Sequence, residues 1–291
     1  MPQDPRLVTA VALVACLSSA HVASAQLLAA KDGPIVYGHH HLAVSDVSLH
    51  RRFWVDTLGG TAITLASGTE AIRFPNVYVL LRAQKPTGGS KGTTVNHLGF
   101  SVPNLRAAVD KVKANGFRMV TREEVAATQS ANQEVKDDIA VLSPQSSIAF
   151  IMGPDDVKVE LVEARTQTLP ITLHHVHFFG PQHAEMRAWY AKVFGAQTRG
   201  GGGAFLSATL PGVLLNFSAS PEPVAGTSGR AIDHIGFEVK NLEAFLKKLE
   251  ADGITPSVGY RQVPKTDMWI AFITDPWGTS IELSQGLAAL P

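Results

Sequence analysis

The chain has 291 residues, 45% of them apolar and 17% charged, and its 25 basic and 25 acidic side chains leave no formal net charge. That composition describes a globular protein of about two ordinary domains, with no basic stripe for nucleic acid and no acidic tail for a charged partner. Cys16 is the only cysteine, so an internal disulfide is excluded.

Arg6 precedes an apolar run over 7–17, and Ala23-Ser24-Ala25 offers small residues where a signal peptidase reads. The pattern predicts a secretory signal over 1–25, a mature start at Gln26 and a periplasmic or secreted protein. The run is too short for a comfortable membrane span. In the alternative reading, Leu13-Val14-Ala15-Cys16 is a lipobox and Cys16 carries a lipid anchor.

A strand is predicted over 35–44, through His39-His40-His41. A helix capped by Asp46 or Ser48 follows and stops at Gly59-Gly60. Strands at 61–65, 71–74 and 77–82 lead to a Pro/Gly/Ser-rich loop over 84–92. The order then repeats: strand 96–102, helix capped by Asn104 and ended by Gly116, strands near 118–121, 147–152 and 157–162. A polar, alanine-rich insertion over 123–144 is expected to be a lid or a disordered loop. After a linker at 163–170 come strand 172–179, helix 183–194, further strands and a loop over 218–229, with Gly200 to Gly203 as a flexible hairpin. The plan recurs from Ala231. Each unit is β-α-β-β-β, and a helix between one strand and three returning strands gives an open curled sheet. The fold class is therefore α+β: two tandem modules, 36–164 and 171–286, each pairing two units into a cupped eight-stranded sheet.

Six residues recur in register. His39, His97 and Glu160 are followed by His175, His234 and Glu282 at offsets of 136, 137 and 122. The shorter last offset reflects an insertion of about 15 residues before Glu160. Local contexts match as well: Asn96-His97-Leu98-Gly99-Phe100 parallels Asp233-His234-Ile235-Gly236-Phe237, and Val159-Glu160-Leu161 parallels Ile281-Glu282-Leu283. The chain is an internal duplication. Each histidine precedes a polar residue by seven positions, namely Asp46, Asn104, Gln182 and Asn241, of which Gln182 is the least certain helix cap. Two imidazoles and one carboxylate suit a divalent first-row metal that keeps open positions for substrate. A lone histidine reads more readily as a core residue with a satisfied partner. Six in register read as metal ligands.

These residues resemble the vicinal oxygen chelate superfamily of glyoxalases, bleomycin resistance proteins and extradiol dioxygenases. The likeness rests on the strand histidines, the aromatic pairs Phe53-Trp54 and Trp189-Tyr190, and the ending Asp275-Pro276-Trp277-Gly278 before Glu282, and covers about 36–286. The resemblance implies His39, His97 and Glu160 as ligands of one module and His175, His234 and Glu282 of the other. It also implies a fourth ligand near Val79 and Asn216, where neither residue suits a transition metal. A three-ligand site favours Fe(II) over Mn(II) or Zn(II). The expected protein is an exported metal-dependent enzyme holding a small oxygen-rich or aromatic substrate through vicinal oxygens, with dioxygenase-like chemistry. The alternatives are a glyoxalase-type lyase or isomerase, and a non-catalytic binding protein that sequesters a small molecule. His177, on the ligand face two residues after His175, and Tyr260 are the candidate catalytic groups. His40 and His174 are expected to face away and be structural.

Overall fold

The computed structural model describes residues 27–28, 30–127, 133–200 and 203–290. The predicted signal segment, Cys16 and positions 201–202 of the predicted glycine hairpin lie outside the described residues. The first unit comprises β1 (Ile35–Val44), α1 (Val47–Arg51) running into a π-helical turn (Arg52–Thr57), β2 (Thr61–Thr64), β3 (Glu70–Phe74) and β4 (Val77–Ala83). The second has β5 (Val95–Val102), α2 (Leu105–Ala114), β6 (Arg118–Met119), α3 (Thr121–Ala127), β7 (Val135–Lys136), β8 (Ile139–Ser143), β9 (Ser146–Met152) and β10 (Lys158–Glu163). The third has β11 (Thr172–Gly180), α4 (His183–Phe194), β12 (Gln197–Arg199), β13 (Phe205–Leu210) and β14 (Val213–Ala219). The fourth has β15 (Ile232–Val239), α5 (Leu242–Ala251), β16 (Val258–Gln262), β17 (Trp269–Thr274) and β18 (Ser280–Gln285).

Local chemistry explains the helix starts. Asp46 accepts from the Ser48 and Leu49 amides, Asn104 from Ala107 and Asn241 from Ala244, which satisfies amides that lack an intrahelical partner. Gln182 makes no such cap; its Oε1 accepts instead from Trp277 Nε1 at 2.8 Å.

Two mixed sheets result, but their composition differs from the expected grouping. The eight-stranded sheet runs β16-β17-β18-β15-β1-β4-β3-β2 and joins the first unit to the fourth. The ten-stranded sheet runs β12-β13-β14-β11-β5-β10-β9-β8-β7, with β6 on β9, and joins the second unit to the third. The expected pairing of neighbouring units, first with second and third with fourth, is thus corrected. Antiparallel seams β1/β15 and β5/β11 close each sheet at its centre. The physical reason lies in the connections. The 163–170 linker stays within one sheet, where the Ala164 amide donates to Val102 O and the Gln167 side chain to Ser101 O. The 84–92 and 218–229 segments instead cross between sheets side by side. They bond through Thr87 N to Gly229 O, Ala225 N to Gly92 O and Ala231 N to Gly88 O, at 2.8, 2.9 and 2.9 Å.

One continuous core lies beneath the helices and draws on all four units, with Trp54, Phe100, Tyr190, Phe237 and Leu249 fully buried. Burying each such side chain stabilises the fold by about 1.5–3 kcal/mol. The insertion is not a disordered loop over its described part. Helix α3 and the β7–β8 hairpin pack Val125 and Ala140, beside Val120 just ahead of α3, on Ile148 and Phe150, on the concave side of the sheet.

Candidate metal centres

Strand alternation puts every second side chain on the concave face. In the second–third cup, His97 on β5, Glu160 on β10, and His175 and His177 on β11 converge, with one donor atom from each within 4.8 Å of the others. His97 Nε2 lies 2.9 Å from Glu160 Oε2, 3.3 Å from His175 Nε2 and 3.1 Å from His177 Nδ1. His175 Nε2 is 3.2 Å from the same carboxylate oxygen. In the first–fourth cup, His39, His234 and Glu282 converge in the same way. His234 Nε2 and His39 Nε2 lie 2.9 and 3.4 Å from Glu282 Oε2, and His41 Nδ1 is 3.2 Å from His234 Nε2. All six predicted ligands therefore enter a cluster, but the sets exchange partners. His175 joins His97 and Glu160, and His39 joins His234 and Glu282. His41 and His177 occupy equivalent places in the two cups.

The surroundings fit a cation. Donors bound to one octahedral ion at about 2.1 Å stand about 3 Å apart, close to the separations observed. His39 Nδ1 and Nε2 are buried with no hydrogen-bond partner among the described residues. Burial alone would raise the carboxyls of Glu160 and Glu282, yet the facing imidazoles hold both well below the usual carboxylate range. Burial and the Lys158 charge push His97 down to about 4, so its nitrogen presents a lone pair at neutral pH. Burial and the neighbouring His97 and His175 also hold His177 well below its ordinary value. Burial would lower His234 too, but Asp233 and Glu282 raise it. Outer partners orient the rings: Asn96 Oδ1 sits 3.0 Å from His97 Nδ1, Asp233 Oδ1 2.7 Å from His234 Nδ1, and Ser218 Oγ 2.8 Å from His177 Nε2. Such contacts fix the tautomer and direction of a metal-binding imidazole.

Gly99 and Gly236, quoted in the repeated motifs but given no role there, complete the geometry. Gly99 faces His175 across the β5/β11 seam, and Gly236 faces His39 across β1/β15. A Cβ at either position would collide with the facing imidazole ring. Each glycine lets a ligand ring lie flat across the neighbouring strand. The signal in the sequence was the recurrence of His-Leu-Gly and His-Ile-Gly.

Strand register also locates the position that holds no ligand in two of the units. Glu160 pairs with Gly99 and Glu282 with Gly236, two residues after His97 and His234. The matching partners of His41 and His177 are Leu80 and Asn216. The expected Val79 is replaced by Leu80, while Asn216 stands as expected, and its Oδ1 is buried without a partner among the described residues. The cups differ further. Leu80 belongs to an apolar cluster with Leu27, Tyr78, Met268 and Leu287, which covers part of the first–fourth cup with segments from both ends of the described chain. The second–third cup has Phe150, Phe179 and Phe205 around His97 and His177, and Phe205 is 53% exposed.

Tyr260 lies outside both cups. It stacks on Trp269, with centroids 4.5 Å apart. Trp269 packs against the helix-side core and is three residues, hence one face, removed from Phe272, which meets His234. The catalytic expectation for Tyr260 is corrected accordingly. His40 is structural, with Tyr37 Oη at 2.6 Å from its Nδ1. His174 is not turned away: a register shift between Leu173 and His175 brings its Nδ1 to 2.9 Å from His175 Nδ1.

Comparisons accord with this geometry. The family described as "Glyoxalase/Bleomycin resistance protein/Dioxygenase superfamily" matches residues 172–283. Glyoxalase I from Zea mays shares the fold at a TM-score of 0.64 and 15% identity, over 87% of this chain and 93% of that one. A single-residue mutant of that Zea mays protein aligns at 0.64 and 14% identity over 88% and 95%. A "putative dioxygenase" from Bacillus subtilis aligns at 0.62 and 12% identity over 86% and 84%. No curated protein sequence matches the chain.

Proposed function

We propose that this chain is an exported, metal-dependent enzyme of the glyoxalase/bleomycin resistance protein/dioxygenase superfamily, acting on a small oxygen-rich or aromatic substrate held through vicinal oxygens. The observation that carries the reading is the assembly of two complete His-His-Glu sets, each from residues far apart in the chain. A divalent ion there supplies Lewis acidity toward paired substrate oxygens or, as Fe(II), activation of dioxygen. Glu160 lowers the charge of the site, Asn96 and Ser218 aim His97 and His177, and the phenylalanines exclude water beside them. Substrate is assigned to the second–third cup, because Leu27, Leu80 and Leu287 crowd the other. Fe(II) is proposed ahead of Mn(II) or Zn(II), from the 2-His-1-carboxylate donor type. His177 favours a second reading, lyase or isomerase chemistry, because a fourth protein donor leaves two octahedral positions for the two substrate oxygens. Export rests on the pattern over 1–25, and periplasmic protein should begin at Gln26 or carry lipid on Cys16.

Metal content by elemental mass spectrometry tests the proposal. About two equivalents are expected in the wild type and one in each of Glu160→Ala and Glu282→Ala. A protein that holds no metal after reconstitution with Fe(II), Mn(II) and Zn(II) would be a non-catalytic binder.

A further inference from the structure

Lys158 is the charged residue that the duplication does not predict. It stands two positions before Glu160 on β10, where the equivalent strand β18 has Ser280 before Glu282. Alternation puts Lys158 on the concave face with Glu160, about 7 Å along the strand. Its side chain is only 3% exposed. Its ammonium sits 5.6 Å from the Phe150 ring centre and 5.9 Å from Phe179, the rings that also flank His97. One hydrogen bond holds it, to Glu124 Oε2 at 2.7 Å. An ammonium carries three donors, and no second hydrogen-bond acceptor for Lys158 is found among the described residues. The other oxygen of Glu124 accepts from Lys91 Nζ at 2.8 Å. Two cations share one carboxylate, so the group keeps a net charge of +1 beside the metal cluster. Glu124 itself comes from α3, in the insertion that only the second unit has.

Resting on the proposed function, we infer that Lys158, with Lys91 behind it, is an anion subsite of the second–third cup, and that the substrate is an aromatic acid whose carboxylate pairs with Lys158 while its vicinal oxygens face the His97–Glu160–His175 cluster. The phenylalanines between the two charged ends suit a flat ring. A benzene ring with paired oxygens on one edge and a carboxylate on the opposite edge would present its two polar ends to Glu160's cluster and to Lys158. Glu124 is the internal carboxylate that competes for the same ammonium.

The test is calorimetric binding of 3,4-dihydroxybenzoate and of catechol to the Zn(II)-loaded full chain. Metal content and thermal unfolding are measured on every variant. The wild type should bind the acid at least ten-fold more tightly than catechol. Lys158→Met, or Lys158→Gln where the first variant folds poorly, should reduce acid affinity to the level of catechol. Glu124→Gln should strengthen acid binding several-fold. Equal affinity for the two probes in the wild type, failure of the metal-loaded protein to bind either, or a preference that survives at Lys158→Met overturns the subsite. None of these touches the proposed function, which stands or falls on metal content. If the wild type takes up no metal, benzoate binding to the metal-free protein, lost in Lys158→Met, still decides the anion subsite.

Discussion

Adding one methyl group at Gly99 should remove a metal without unfolding the protein. The Cβ of Gly99→Ala would stand 2.6 Å from His175 Nε2 and nearer still to Cε1 and Nδ1, whereas ordinary contact begins at 3.4 Å. The ring must withdraw by at least the difference, about 0.8 Å. Metal–ligand distances tolerate only about 0.2 Å, so His175 leaves the coordination sphere. The clash meets a side chain that can swing away, so the stability cost should stay within the usual overpacking range of about 1–3 kcal/mol. Losing an outer partner of a ligand costs about 10–100-fold in metal affinity, and losing the ligand itself should cost more. The second–third cup then keeps only His97, Glu160 and His177 of its four donors, so elemental mass spectrometry after dialysis against a chelator weak enough to leave both wild-type metals in place should find one equivalent in Gly99→Ala, bound by His39, His234 and Glu282. Gly236→Ala should show the converse loss, since His39 lies over that glycine, and the double variant should be empty. Two equivalents held by Gly99→Ala at wild-type affinity would refute the argument that the glycine exists to seat the imidazole.

Unit pairing gives a sharper test: His39→Ala with Glu160→Ala should empty both sites, whereas His175→Ala with Glu160→Ala should empty one. Neighbour pairing would require the reverse, read as metal equivalents. The metal-free protein should lose stability in acid. Burial, with neighbouring imidazoles, holds His41 at about 3 and His174 at about 4; burial, with Lys158, holds His97 at about 4. The unfolded chain then takes up more protons below pH 6.5, so the stability these groups confer is complete above 6.5 and is lost as pH falls toward 4. His234, raised, works in the opposite sense and is outnumbered. The Tm of metal-free protein should drop between pH 7 and pH 4, and a flat profile would contradict the depressed values. Tyr260→Ala should leave metal content and activity unchanged while removing a stacking contact on Trp269 worth about 0.5–1.5 kcal/mol; a loss of activity would return Tyr260 to the site.

Much of the site was legible because ligand chemistry leaves residue-type signatures. The strand histidines, the glutamates and the polar caps Asp46, Asn104 and Asn241 can be read from local pattern, since a cap needs only its own first turn and a ligand face only alternation. Tyr260 illustrates the limit. Its exposure to a cup depends on which face of an edge strand it occupies, and a register shift between Val258 and Arg261 governs that stretch. The insertion is hard to read from sequence for a related reason. Its polar and alanine-rich composition hides Val125 and Ala140, which find their partners only on Ile148 and Phe150 of the strand beyond.

Which units pair could not be read at all, and the duplication is the cause. Four near-equivalent units offer near-equivalent central strands, so β1 meets β5 or β15 with the same alternation and the same histidine facing the same glycine. Local pattern cannot separate degenerate partners. The choice falls to connections, and here the 84–92 and 218–229 segments bond to each other and carry their chains across to the other sheet. Exchange of partners leaves each donor set intact, because first-strand histidines are equivalent between units one and three and the glutamates between two and four. The same exchange separates the environments. Lys158 and α3 arrive only with the second unit, while Leu27 and Leu287 fall on the other cup. A duplicated donor set thus becomes two candidate sites that share a His-His-Glu core but differ in surroundings, His177 joining only the second–third set, which is the condition for one to take substrate and the other to hold the fold together.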